Sequence, residues 1–86
     1  MESIIVTLDN PKLKQSYDLE LPSRLPMYKL AQDIVDTINA ENPPVRWSAR
    51  NAAIIRCRTR QFIPGGETLH SAGVANGESL IFDNAP

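Results

Sequence analysis

The chain has one cysteine, one histidine and no dense cluster of metal-binding residues, and these scarcities exclude several classes of protein. A single thiol, Cys57, cannot form an internal disulfide, so a secreted scaffold stabilised by disulfides is excluded. His70 has no second histidine or cysteine at ligand spacing, which argues against a metal site. No Gly-rich phosphate loop is present either, so we expect neither a metal nor a cofactor.

Long hydrophobic runs are also missing. No apolar stretch approaches the roughly 20 residues of a membrane-spanning helix, so we expect no direct membrane insertion. Residues 1–6 do not combine a basic region with a long apolar segment, as a signal peptide would. These absences predict a cytoplasmic protein.

An excess of basic charge is absent, because 9 Lys and Arg stand against 10 Asp and Glu. This balance argues against a dedicated nucleic-acid binder, and we expect no nucleic-acid partner. The charge is nevertheless uneven along the chain. Residues 1–45 hold four basic and seven acidic side chains, a net of −3, and residues 46–86 hold five and three, a net of +2. Such a separation can orient an encounter with a charged partner.

The length of 86 residues predicts one domain, residues 1–86, with a single modest core. A chain of this size buries only about 60% of the surface that its unfolded form exposes, which leaves little room for a deep substrate pocket. His70 and Ser71 are adjacent and lack an orienting acid, so they do not form a catalytic pair. We expect no catalytic residues and no enzymatic activity.

Two segments near the amino terminus alternate apolar and polar residues with the period of a half-buried strand. In the first, Ile4, Val6 and Leu8 face one way. The second strand does the same, with Tyr17, Leu19 and Leu21 on one face. The short polar loop between them, Asp9-Asn10-Pro11-Lys12, predicts an antiparallel hairpin.

An amphipathic helix follows, since apolar residues then recur at three- and four-residue steps. We expect Pro26 at its first position and Pro43-Pro44 beyond its end. Its apolar stripe comprises Met27, Leu30, Ala31, Ile34, Val35 and Ile38.

Two more strands are predicted in the second half of the chain. The first covers residues 53–62, with Ile55, Cys57 and Thr59 facing inward and the intervening arginines facing outward. The last strand covers residues 79–82 after a tight Asn-Gly turn. The order β-β-α-β-β predicts an α+β fold in two layers and leaves the strand order open.

Residues 60–82, RQFIPGGETLHSAGVANGESLIF, are similar to the carboxy-terminal half of ubiquitin-like domains. The sequence DLELP at residues 18–22 and the helix fit the same family. Together with Pro43-Pro44, Arg46 and Trp47, they most resemble the YukD/EsaB group of accessory proteins in type VII secretion systems of Gram-positive bacteria. The resemblance implies a β-grasp fold, with one helix packed on a mixed sheet. It also implies an adaptor or regulatory protein that binds a membrane or motor component of the secretion system.

Two other functions compete with the adaptor role. The β-grasp fold also serves as a small accessory subunit of multicomponent enzymes. A conjugated modifier needs a free carboxy-terminal Gly-Gly, whereas this chain ends in Asp83-Asn84-Ala85-Pro86. Its Gly65-Gly66 pair precedes the last strand and is interpreted as a turn with positive φ. We therefore expect no covalent conjugation.

The predicted partner-binding residues are basic and aromatic. Arg56, Arg58 and Arg60 share one face of the predicted third strand, and Arg46 and Arg50 are expected to join them. The arginines form either a solvated strand surface or a basic patch for an acidic protein, which planar guanidinium groups suit. In ubiquitin the matching strand offers an apolar face, which we expect guanidinium groups to replace here, so a different partner is expected. Trp47 is either an interface anchor or a side chain buried against the helix end.

Overall fold

The computed structural model describes residues 2–84, so Ala85 and Pro86 of the tail considered above lie outside the described residues. The elements follow the predicted order. Strands β1 (Ser3–Asn10) and β2 (Gln15–Pro22) precede the helix α1 (Met27–Glu41). A 3-10 turn (Ala49–Asn51) leads into β3 (Ala52–Arg56), and β4 (Ser79–Asn84) follows a long loop.

The four strands form one mixed sheet in the order β2-β1-β4-β3. The predicted hairpin of β1 and β2 is confirmed as an antiparallel pair, in which Thr7 lies opposite Asp18. In the centre, β1 runs parallel to β4, and β4 is antiparallel to β3. The first and last strands of the chain are therefore neighbours.

The helix α1 covers one face of this sheet, which we call the inner face. All six residues of its predicted apolar stripe are buried, as the 3.6-residue period requires. Pro26 precedes the helix as its N-cap residue, one position earlier than predicted. Opposite the stripe, the sheet contributes side chains that are fully buried, namely Val6, Leu8, Leu80 and Phe82.

The predicted third strand is too long and has its faces reversed. The strand ends at Arg56, residues 57–59 form a turn, and Arg60 has a φ of 60°. Ile54 is buried opposite Phe82, whereas Ile55 and Cys57 are only half-buried. The period-two pattern fits either phase at Ile54-Ile55, and the core contact with Phe82 decides between them.

The loop between β3 and β4 contains the four glycines of the chain. Gly65-Gly66 lies in a turn, as predicted, but the positive φ assigned to it is wrong. The glycines in the left-handed region are Gly73, with φ of 75°, and Gly77, with φ of 88°. Gly77 supplies the turn that leads into β4.

Candidate functional site

Arg56, one of the predicted partner-binding residues, is engaged within the chain. Its Nε and Nη2 donate to the two carboxylate oxygens of Glu78 at 2.7 and 2.9 Å, and its Nη1 donates to the carbonyl of Ala72 at 2.9 Å. The side chains of Arg56 and Glu78 are only 16% and 7% exposed. This bidentate pair fastens the end of β3 to the loop before β4.

The electrostatics of the pair follow from this geometry. The hydrogen bonds from Arg56 lower the pKa of the Glu78 carboxyl below its ordinary range, and the Ala75 amide adds a smaller contribution. The same carboxylate raises the pKa of Arg56. Both groups are therefore charged at neutral pH, and each compensates the other. Sequence reasoning missed this pair because its members are far apart in the chain and no local pattern connects them.

Arg58 and Arg60 lie in the turn after β3, which we call the arginine turn (residues 57–60). The amide of Arg60 donates to the carbonyl of Arg56 at 2.8 Å, which closes the turn. Both side chains are exposed, and neither forms a salt bridge among residues 2–84. The expectation of three arginines on one strand face is therefore wrong, because the strand has ended before Arg58. Two guanidinium groups remain free to contact a partner.

Arg46 lies in a separate segment after α1. Its side chain is exposed and donates to the carbonyl of Pro43 at 2.7 Å. Within the part of the chain that the structure describes, no hydrogen bond links Arg46 to the arginine turn. That these arginines bind a partner stays a prediction.

Trp47 is half-buried, which answers the question that the sequence left open. Its ring stacks on Phe82 with centroids 5.9 Å apart and an angle of 25° between the planes. Its backbone amide donates to Asn39 Oδ1 at 3.0 Å, and its carbonyl accepts from Asn39 Nδ2 at 2.9 Å. Trp47 therefore packs on the core and joins the end of α1 to the loop that follows.

The face of the sheet away from α1, the outer face, has an apolar surface where the sequence predicts arginine side chains. Ile55 of β3 lies opposite Ile81 of β4 on this face, and both are half-buried. Phe62 bridges to Ile55 and is 56% exposed. The expected replacement of the apolar strand face by guanidinium groups is wrong, because Arg56 lies on the opposite side of the strand.

Over residues 2–84, no group of three or more His, Cys, Asp or Glu side chains is placed to hold a metal ion. In the same range, no helix has the length and apolar character needed to cross a membrane.

The fold is that of ubiquitin-like domains, as comparison with solved structures shows. The ubiquitin-like domain of the Mycobacterium tuberculosis type VII secretion system protein EccD1 matches with a TM-score of 0.72 and 21% identity, over 95% of this chain and 98% of that one. The EccD5 ubiquitin-like domain from Mycobacterium xenopi matches with a TM-score of 0.78 and 10% identity, over 99% and 97%. A chain of the toluene 4-monooxygenase HD complex matches with a TM-score of 0.78 and 12% identity, over 98% and 100%.

Identities this low establish the fold alone. No curated protein sequence matches the chain significantly. The family model described as "WXG100 protein secretion system (Wss), protein YukD" does match, over residues 3–82. This range covers β1 through the buried Phe82 of β4 and so includes nearly all of the core. The chain therefore belongs to the YukD family of the WXG100 protein secretion system, in agreement with the resemblance seen in its sequence.

Proposed function

We propose that this domain is a non-conjugating adaptor or regulatory protein of a bacterial type VII secretion system, which acts in the cytoplasm by binding a membrane or motor component. The observation that carries the proposal is the YukD family match over residues 3–82. The likeness to the ubiquitin-like domain of EccD1, a type VII secretion system protein, supports it, as does the likeness to the EccD5 ubiquitin-like domain. The domain acts by binding another protein and not by catalysis.

The arginine turn is the surface that we propose for this contact. Arg58 and Arg60 are exposed and carry two positive charges, and neither forms a salt bridge among residues 2–84. The guanidinium group suits paired hydrogen bonds to carboxylates, so the partner presents an acidic surface. Arg46 is a further exposed donor, whereas Arg56 positions the turn through Glu78, and Trp47 supports the loop that carries Arg46.

The test compares secretion and binding in the host. A strain lacking the gene is complemented with wild type, Arg58→Glu/Arg60→Glu, or the matched control Arg24→Glu/Lys29→Glu, which changes the net charge equally on other exposed residues. Purified domain is also titrated with detergent-solubilised secretion components. We expect the arginine-turn variant to lose secretion and to bind at least about tenfold more weakly, and the control to behave as wild type.

The outcomes separate the assignment from the surface. If the deletion leaves type VII secretion intact, the adaptor function is wrong. If secretion needs the gene but tolerates both variants, the function stands and the arginine turn is not the contact.

A second candidate function rests on the likeness to a chain of the toluene 4-monooxygenase HD complex. In that case the domain is a small accessory subunit of a multicomponent enzyme. Its gene then lies beside those of enzyme subunits, and these subunits, instead of secretion components, copurify with the domain.

A further inference from the structure

An open apolar groove lies between the edge strand β2 and the helix α1. No residue of the arginine turn lines it. Its volume is about 170 Å³, similar to the roughly 150 Å³ engineered cavity that admits a benzene molecule. The walls are the inner face of β2 and one side of the helix. Its apolar lining is Tyr17, Leu19 and Leu21 of β2 and Ile34 and Ile38 of α1, together with Leu8 of the neighbouring β1.

Beside the groove, β2 presents unpaired backbone groups. The amides of Ile5 and Thr7 donate away from β2, to Asn76 Oδ1 at 2.7 Å and the Glu78 carbonyl at 3.1 Å. Paired residues of an antiparallel ladder exchange both hydrogen bonds or none. Their partners Glu20 and Asp18 therefore direct their amide and carbonyl groups outward from the sheet.

No other strand covers this edge within residues 2–84, because β2 is the terminal strand of the sheet. An extended peptide can add to such an edge through backbone hydrogen bonds, and side-chain pockets then give specificity. Alternate side chains of the added strand would enter the groove beside Leu19. The others would lie on the outer face, next to Asp18 and Glu20.

The charges around the groove indicate which side chains of an added strand would fit on the outer face. Asp18 and Glu20 each accept one hydroxyl hydrogen bond, from Thr7 and Ser3, and neither forms a salt bridge in the described part of the chain. Two further carboxylates, Asp33 and Glu41, line the groove, and no lysine or arginine does. The edge is therefore acidic beside an apolar groove.

The same charges disfavour a second copy of this chain as the occupant. Pairing β2 with β2 would bring Asp18 and Glu20 of the two copies together on the outer face, and facing like charges destabilise a sheet. Charged side chains on an edge strand also protect proteins from unwanted self-pairing. A partner strand with basic side chains beside Asp18 and Glu20 would instead be attracted to them, because opposite charges on neighbouring strands stabilise a sheet.

We infer that the β2–α1 groove binds an extended segment of a partner protein in which apolar residues alternate with lysine or arginine, and that this segment adds a strand to β2. The site is separate from the arginine turn. The groove lies in the acidic half of the chain, whereas the proposed secretion contact lies in the basic half. A negative result at one surface therefore leaves the proposal for the other intact.

The probe is the capped heptapeptide KVKIKVK, and its control is KKVIVKK, which has the same composition without the alternation. Each is titrated into the ¹⁵N-labelled domain at low salt. We expect the alternating peptide to shift the amides of Ser16, Asp18 and Glu20 and those along α1, with an affinity at least about tenfold above that of the control peptide.

Two variants locate the binding. Thr37→Trp fills the groove from its exposed rim and is matched by Gln32→Trp, which lies outside the groove lining. Glu20→Lys reverses a charge beside the added strand and is matched by the exposed Glu67→Lys. We expect each first variant to weaken the alternating peptide roughly tenfold, and each matched variant to bind as wild type. The exposed Glu20→Lys keeps the test valid if Thr37→Trp does not fold.

Several results would overturn the inference. Equal affinities of the two peptides would show that they bind only through nonspecific charge attraction. Shifts of the β2 amides that depend on protein concentration without peptide would identify a second copy as the occupant. Failure of KVKIKVK to bind at millimolar concentration would show that the edge accepts no such strand.

Discussion

At the residue scale, the Arg56–Glu78 pair shows how a single contact changes the interpretation of a basic segment. The sequence RCRTR places three arginines in five positions, and the pattern alone treats them as equivalent. In the structure, Arg56 is held by two oxygens of Glu78, and Arg58 and Arg60 are exposed. The first arginine is therefore structural, and only the other two are free to bind.

Replacing Glu78 tests this division. Arg56 lowers the pKa of Glu78 below its ordinary value of 4.5, so the ionised pair stabilises the folded state above that pH. The stabilisation is lost as the pH falls through the lower pKa of the folded state. We expect Glu78→Gln to lower the urea midpoint at pH 7 and to approach wild type as the pH falls below about 4.

Urea denaturation followed by circular dichroism between pH 3 and pH 7 measures the effect. Glu67→Gln, an exposed carboxyl without a salt bridge among the described residues, is the control and should change the midpoint little. A difference between Glu78→Gln and wild type that stays constant over this range would contradict the role given to the ionised pair.

At the element scale, the sequence predicts the hairpin and the helix well because their signals are local. The stripe of α1 repeats over more than three turns, and every one of its residues is buried. The third strand is different. Its alternation continues past Arg56 without glycine or proline, while the actual turn depends on a left-handed Arg60 and on Glu78, which is distant in sequence.

The candidate site was predictable only in part for the same reason. The exposure of Arg58 and Arg60 could be predicted because arginine is a charged residue. The ion pair of Arg56 with Glu78 and the stacking of Trp47 on Phe82 could not, because both are tertiary contacts. The groove beside β2 also arises from the strand order, which the sequence did not determine.

The β1–β2 hairpin offers a test of local conformation. Lys14, the last residue of its loop, has a φ of 52°, and its amide donates to the Pro11 carbonyl at 3.2 Å. Glycine adopts this left-handed conformation without the steric cost that a side chain incurs. We expect Lys14→Gly to raise the free energy of unfolding by up to about 1 kcal/mol and Lys14→Val to lower it.

Chemical denaturation of the two variants gives the values, with Lys14→Ala as the control for loss of the charge. A valine variant as stable as the glycine variant would show that the loop relaxes into another conformation.

At the scale of the whole molecule, the central pairing of β1 with β4 makes the two ends of the chain interdependent. Leu80 and Phe82 of β4 are fully buried, and Leu8 of β1 lies beside Leu80. The last strand is therefore in the middle of the sheet. Processing at Gly66, which a modifier ending in the internal Gly-Gly pair would require, would remove it.

We expect a chain ending at Gly66 to be unfolded. Removing a buried leucine and a buried phenylalanine side chain lowers the free energy of unfolding by about 2–5 kcal/mol each. The backbone hydrogen bonds of β4 to β1 and β3 are lost as well. This loss is comparable with the entire stability of a small domain, about 5–15 kcal/mol. The chain 1–66 should show no cooperative thermal transition and poorly dispersed amide signals, whereas the chain 1–84 should unfold cooperatively. A folded 1–66 chain would instead make Gly66 a competent carboxy terminus and would reopen conjugation as a function of this domain.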